Sequence, residues 1–293
     1  MEGTVFDGRT DLKGSASLRL QGRTAGFPWR LFFDGRAVLE GPRAGDSAWE
    51  VRGEADRFYV RGYLPAADIA VGKQAVNWGV GYAWAPTDVF TPPDPVDPSG
   101  PRPGIWAAVV HVPVGPLDYW SAALAEDKIG VRRRGNRDGT DWSVVAVSED
   151  GRWLVGGDLK GDWGIGWHAA AAVRTAAVST DPLSWEALLG ADYSWLAGRL
   201  LWIGEYRAAR GDDGREQHMF QQVTYRPDEV SSVYVSGLFD LSGGEVVWSA
   251  GYGAELGGEA RLELGVRIPS RAPDADPSLL PRLVIDARFS RAF

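Results

Sequence analysis

The chain has 293 residues, with 31 Lys plus Arg against 39 Asp plus Glu for a formal net charge of -8, 14 Trp, 38 Gly and no Cys. The lack of cysteine excludes thiolate catalysis, disulfide scaffolds and most structural zinc sites, and an acidic chain lacks the basic surface that nucleic acid requires. The three histidines, His111, His168 and His218, are dispersed without ligand spacing, so no metal or other cofactor is expected.

This length suits one large all-β domain or two ordinary domains. No helix can be placed across a membrane, since the longest stretch free of Asp, Glu, Lys and Arg, Pro103 to Leu117, carries three prolines and two glycines. The first residues, Met1-Glu2-Gly3-Thr4, have neither the basic region nor the apolar core of a signal peptide. Either the protein is cytosolic or a signal peptide has been removed, and the strand pattern favours removal.

Apolar and polar residues alternate with period two from end to end, which only strands do. In chain order the alternation and the turn residues between runs mark candidate strands at about 12–22, 28–40, 48–63, 67–77, 104–114, 117–125, 128–134, 141–149, 152–160, 163–175, 185–196, 198–209, 216–226, 229–241, 245–256, 259–269 and 281–293. In the second, Trp29, Leu31, Phe33, Ala37 and Leu39 alternate with Arg30, Asp34, Arg36 and Glu40. The third changes phase between Gly53 and Phe58, which predicts a bulge near residues 54–57 or a hidden turn. The segment 128–134 is short and arginine-rich and reads as loop. Later runs are cleaner: Ala260, Leu262, Leu264, Val266 and Ile268 alternate with Arg261, Glu263, Gly265 and Arg267. The last strand ends in Phe293.

Segments of about ten residues match membrane barrel strands better than globular ones, and the apolar face carries Trp29, Tyr63, Trp185, Trp195, Trp202, Tyr225 and Trp248 near segment ends, as aromatic girdles do. A soluble β-sandwich is the alternative. The expected architecture is a single domain over 1–293, an antiparallel up-and-down transmembrane β-barrel. About sixteen strands are expected if 128–134 is loop, with fourteen to eighteen open, because single-chain bacterial barrels have even counts. Counted back from the C-terminus, the connections at 270–280, 242–244, 210–215 and 176–184 share one end, and those near 257, 227 and 197 the other.

Residues 72–98 form one dense motif: Gly72-Lys73-Gln74, then Asn77-Trp78-Gly79-Val80-Gly81-Tyr82-Ala83-Trp84-Ala85-Pro86-Thr87-Asp88-Val89-Phe90, then Pro92, Pro93, Pro95 and Pro98. It resembles a motif of porin-like outer-membrane proteins, in which Gly-Arg-Gln leads to Trp-Gly-x-Gly and then Pro-x-Asp-x-Phe. Lys73 stands where arginine is commoner. The terminal strand likewise looks like the C-terminal signature of bacterial outer-membrane barrels, which implies outer-membrane location and recognition of Phe293 by the barrel assembly machinery. Proline and glycine make the long Pro-rich loop at 78–103 rigid, and its length is typical of functional loops. It is expected to narrow the pore through Trp78, Tyr82, Trp84, Asp88 and Phe90; packing on the outer rim is the alternative.

The face opposite the apolar one carries Lys13, Arg19, Arg30, Arg36, Arg57, Arg61, Lys73, Arg199, Arg207, Arg261, Arg267, Arg282 and Arg288, against Asp34, Glu40, Glu205, Glu259, Glu263 and Asp286. A dry core does not tolerate so many charges unless all are paired, whereas a water-filled lumen does. These observations predict a channel for passive diffusion of small hydrophilic solutes, anion-preferring and in contact with outer-membrane lipid, with no catalytic residues and with monomer and trimer both open. The alternatives are a substrate-specific outer-membrane transporter, a plugged structural barrel, and a barrel enzyme using His218 beside Asp212 and Asp213.

Overall fold

The computed structural model describes residues 11–23, 28–40, 50–100, 102–175, 183–211, 214–257, 260–270 and 284–292, with backbone alone at 11–23, 36–40, 50–52, 54, 269–270, 284, 286 and 289–292. The first nine strands are β1 (Asp11–Arg23), β2 (Trp29–Glu40), β3 (Glu50–Tyr63), β4 (Asp68–Gln74), β5 (Ile105–Pro113), β6 (Tyr119–Ala125), β7 (Lys128–Arg137), β8 (Thr140–Glu149) and β9 (Arg152–Asp162). The chain continues through β10 (Gly166–Thr175), β11 (Ser184–Trp195), β12 (Leu200–Gly211), β13 (Gly214–Tyr225), β14 (Ser231–Asp240), β15 (Val246–Gly257), β16 (Ala260–Ser270) and β17 (Val284–Ala292). One 3-10 turn, Leu196–Gly198, joins β11 to β12.

Among the described residues, seventeen strands form one sheet in which each pairs antiparallel with the next in sequence. β17 also pairs with β1, in parallel, with Asp11 opposite Val284 and Arg19 opposite Ala292. In an up-and-down ring with an odd number of strands the first and last run the same way, so closure there is parallel by necessity. The count lies inside the expected range. It differs from sixteen because 128–134, expected as loop, is a strand: Arg132 and Arg134 point inward while Arg133 lies over the Trp120 ring at 5.5 Å, so the arginines follow the alternation rather than breaking it.

The phase change in β3 has a local cause. Asp34 pairs with Arg57 and Gly35 with Ala55, so Asp56 is the extra residue of a bulge, within 54–57 as the sequence pattern predicts. One strand therefore carries two phases.

Outside, the sheet presents large apolar residues: Val71, Trp106, Leu124, Ile129, Val144, Val155, Leu189 and Val235 are each about half exposed. Inside, the wall is polar or small, with Gln74, Ser121, Ser143, Asp158, His168, Glu186, Glu205, Gln222, Ser236 and Ser249 buried. This inversion of the usual globular pattern is what a barrel in lipid requires, because ladder pairing satisfies the backbone of the strands and the outer face meets hydrocarbon.

Candidate functional site: the loop across the lumen

The β4–β5 connection leaves the rim at Gln74 and returns at Ile105, and it folds into the barrel. Its Val76, Trp78 and Phe90 pack on inward residues of the wall, Ala107, Val109, Ala123, Val145, Val147, Leu154 and Ala172, as one buried cluster. The Trp78 and Phe90 rings meet edge to face at 4.9 Å. Small wall residues make room for large loop residues, so the loop seats by burial of apolar surface inside an otherwise polar lumen.

Polar contacts hold the loop to wall positions around the ring. Near its start, the Arg132 guanidinium on β7 donates to the Asn77 carbonyl at 3.3 Å. The Thr87 hydroxyl donates to Asp158 on β9 at 3.0 Å, and Ser143 on β8 donates to the same carboxylate oxygen at 2.7 Å. Lys128 donates to the Val89 carbonyl at 3.0 Å.

Further round, Glu205 on β12 receives three consecutive backbone N–H groups, from Tyr82, Ala83 (2.8 Å) and Trp84 (3.3 Å). His168 on β10 contacts the same carboxylate at 2.7 Å, and both side chains are buried. A run of N–H groups converging on one carboxylate is an anion nest, here occupied by the protein itself. Gly81 makes the turn possible, because a Cβ there would collide with the Trp84 carbonyl and with Leu188. The Trp-Gly-x-Gly spacing thus has a mechanical meaning. The far end of the loop reaches the closing strands: Asp97 pairs with Arg267 on β16 at 3.1 Å and with Arg288 on β17.

Within the loop, Asp88 pairs with Arg102 at 3.0 Å and accepts the Thr91 N–H. Burial nonetheless pushes its carboxyl above the usual carboxylate range, since loss of water outweighs the neighbouring donors.

The residues expected to narrow the pore therefore divide. Trp78, Asp88 and Phe90 are buried between loop and wall and hold the loop in place, while Tyr82 and Trp84 are partly exposed. Tyr82 exchanges hydrogen bonds with Gln222 and packs near Phe220, and Trp84 lies 5.9 Å from the His218 ring.

Of the residues expected to line the pore, Arg30, Arg57, Arg61, Glu205, Arg207, Arg261, Glu263, Arg267 and Arg288 lie on the inward phase of their strands. Two do not line the wall. Lys73 stands opposite Phe58 and Trp106 on the outward phase and donates to the Ala55 carbonyl; as the last residue but one of β4 it sits at the rim, where a long side chain reaches polar groups. Arg199 is exposed in the turn after the 3-10 segment, because β12 begins two residues later than the pattern suggests. Arg19, Arg36 and Asp286 are described by backbone only, and Arg282 and Phe293 lie outside the described residues.

His218 does not build a catalytic pair with carboxylate in contact. Its Nδ1 accepts from the Arg207 guanidinium at 3.2 Å and its Nε2 is 3.9 Å from Asp240; Asp212 and Asp213 lie outside the described residues. Sequence reasoning missed the wall residues His168, Asp158 and Arg132 that meet the loop, and the loop's own Asp97. A lone acid or histidine among small residues on the inward phase was the available signal for the first two.

Below the loop, towards the end with the short turns, a cavity of about 570 Å³ lies against the inner wall of β12 to β17. The opposite wall is basic and aromatic: Arg30 lies over the Tyr63 ring at 4.9 Å, and Arg61 lies near Phe32 and Tyr59 at 5.9 and 5.7 Å.

Fold and inward loop together define a membrane-type β-barrel whose lumen is crossed by one of its own connections. Solved structures share that fold. The chain is similar to Wzi of Escherichia coli, an outer-membrane protein involved in group 1 capsule assembly and described as a carbohydrate-binding β-barrel, with a TM-score of 0.63 at 11% identity over 92% of this chain and 81% of that one. It is similar to OccK5 (OpdH) of Pseudomonas aeruginosa, with a TM-score of 0.61 at 10% identity over 90% and 87% of the two chains. It is also similar to Pseudomonas aeruginosa OpdK, solved with vanillate, with a TM-score of 0.54 at 13% identity over 86% of each chain. No family model and no curated protein matches the sequence.

Proposed function

We propose that the protein is a channel of the bacterial outer membrane through which small hydrophilic solutes diffuse passively, narrowed by the loop 78–103 and preferring anions. The observation that carries this reading is the loop itself, pinned to β7, β9, β12 and β16 inside a ring whose outer face is apolar. A structural barrel with a sealed lumen has no need of a cavity beneath such a loop. Outer-membrane lipid is then the partner of the outer face, and the assembly machinery the partner of Phe293. Similarity of fold to outer-membrane proteins supports the location.

Anion preference rests on the wall formed by β2, β3 and β7. There Arg30 and Arg61 face aromatic rings, and the buried Nε of Arg61 and of Arg132 has no hydrogen-bond partner. Elsewhere the lumen arginines are neutralised: Arg261 by Glu263 at 2.8 Å, Arg207 by Glu186 at 2.7 Å, and Arg267 and Arg288 by Asp97. Pairing cancels most of the basic excess read from sequence, so selectivity belongs to the first wall. The test is the reversal potential of the refolded protein under a salt gradient. Arg30→Gln with Arg61→Gln is expected to move an anion-selective potential towards zero. An unchanged potential would overturn the anion preference and leave the pore standing.

A substrate-specific transporter with a saturable site is the second reading, favoured by the bounded cavity under the loop.

A further inference from the structure

We propose that the cavity against β12 to β17 is a binding site for a neutral saccharide of one or two sugar rings. The inference rests on the channel reading only for the route by which the ligand reaches the site.

Size comes first. About 570 Å³ lies in the range of ordinary small-molecule pockets and accommodates a mono- or disaccharide with its water. The lining then decides the class. It combines neutral groups that both donate and accept, the hydroxyls of Tyr82, Ser99, Thr224, Ser232 and Tyr234 and the Gln222 amide, with arginines and carboxylates of nearly balanced charge. Sugar hydroxyls also donate and accept, so such a lining matches a polyol better than it matches an ion.

The charges agree. Arg261 is paired with Glu263, and Arg288 with Asp97, so two of the guanidiniums that line the cavity already face carboxylates. An anionic ligand would have to displace one of them. Arg226, Glu229 and Glu255 at the exposed edge are of mixed sign.

Geometry supplies the platform. The Tyr234 ring lies along the inner wall across Gly251 of the neighbouring strand, where any Cβ would collide with it. Glycine therefore lets an aromatic face lie against the sheet, open to the C–H face of a sugar ring while its hydroxyl stays polar. Beside it, Gln222 donates to Tyr82 and to Thr224, each at 3.1 Å, which fixes the amide and the loop tyrosine as a preset row of hydrogen-bonding groups. The loop thus forms one side of the site.

The experiment is equilibrium dialysis of labelled maltose against the detergent-refolded barrel, with glucose, succinate and glycine as competitors and single-channel recording on the same preparation. The expected result is saturable binding displaced by glucose and not by succinate or glycine. Tyr234→Ala weakens it about tenfold or more, Tyr234→Phe by less than about threefold, and both remain folded barrels by their heat-modifiable mobility. Maltose that does not bind, or that binds equally to Tyr234→Ala, overturns the proposal, as does displacement by succinate. The two readings separate cleanly: salt conductance without maltose binding refutes the saccharide site alone, and maltose binding without conductance refutes the channel alone.

Discussion

Glu205 is the residue on which the loop turns. Its carboxylate takes three backbone N–H groups and His168, so Glu205→Ala leaves several buried donors without an acceptor, each costing about 1–3 kcal/mol. Limited proteolysis of the refolded barrel measures the consequence: cleavage within 78–103 is expected to accelerate at least tenfold, with Glu205→Gln between the variant and the parent because one acceptor oxygen survives. Equal cleavage rates would show that the apolar seat of Trp78 and Phe90 suffices. Asp88 behaves differently. Burial raises its folded-state pKa above the unfolded value, so the folded state binds a proton more readily and gains stability as pH falls through that raised value. Melting curves from neutral to mildly acid pH are expected to show this gain in the parent and to lack it in Asp88→Asn; parallel curves would contradict it. Neither role was legible in the sequence, because it lists acids without saying which chain segment they meet. Glu205 was placed on the lumen face by alternation alone, and the partners contributed by a loop more than a hundred positions away carry no periodic signal.

Elements were far more legible than partners. Every strand begins near a boundary that alternation marks, because a one-residue slip would turn each apolar side chain to the wrong face. The bulge at Asp56 shows how closely phase follows sequence: the pattern breaks where the ladder does. Where the reading failed, at 128–134, it discounted alternation because arginine looked out of place; inward arginines are ordinary in a wet lumen. The same alternation makes a prediction about lipid. Val235 on β14 is half exposed in water yet meets hydrocarbon in a membrane. Val235→Arg is expected to lower folding stability in liposomes by about 2–4 kcal/mol, measured by urea titration. Inward Ser236→Arg is a poor control, being buried; exposed Arg226→Lys, in the turn, is the suitable one and is expected to shift stability little. A soluble barrel would tolerate Val235→Arg.

At the scale of the whole molecule, three features reinforce one another. Antiparallel pairing round the ring, with the parallel β1–β17 contact closing it, removes sheet edges, and the apolar outer face commits the ring to a bilayer. The interior is then free to be polar, and the loop divides it into a basic aromatic wall and a hydroxyl-rich cavity. Single-channel recording of the refolded protein in a planar bilayer under a salt gradient tests this account most directly. Discrete, stable conductance steps with a reversal potential of anionic sign are the predicted result. Silence from protein shown to be folded and inserted would contradict it and leave a sealed barrel.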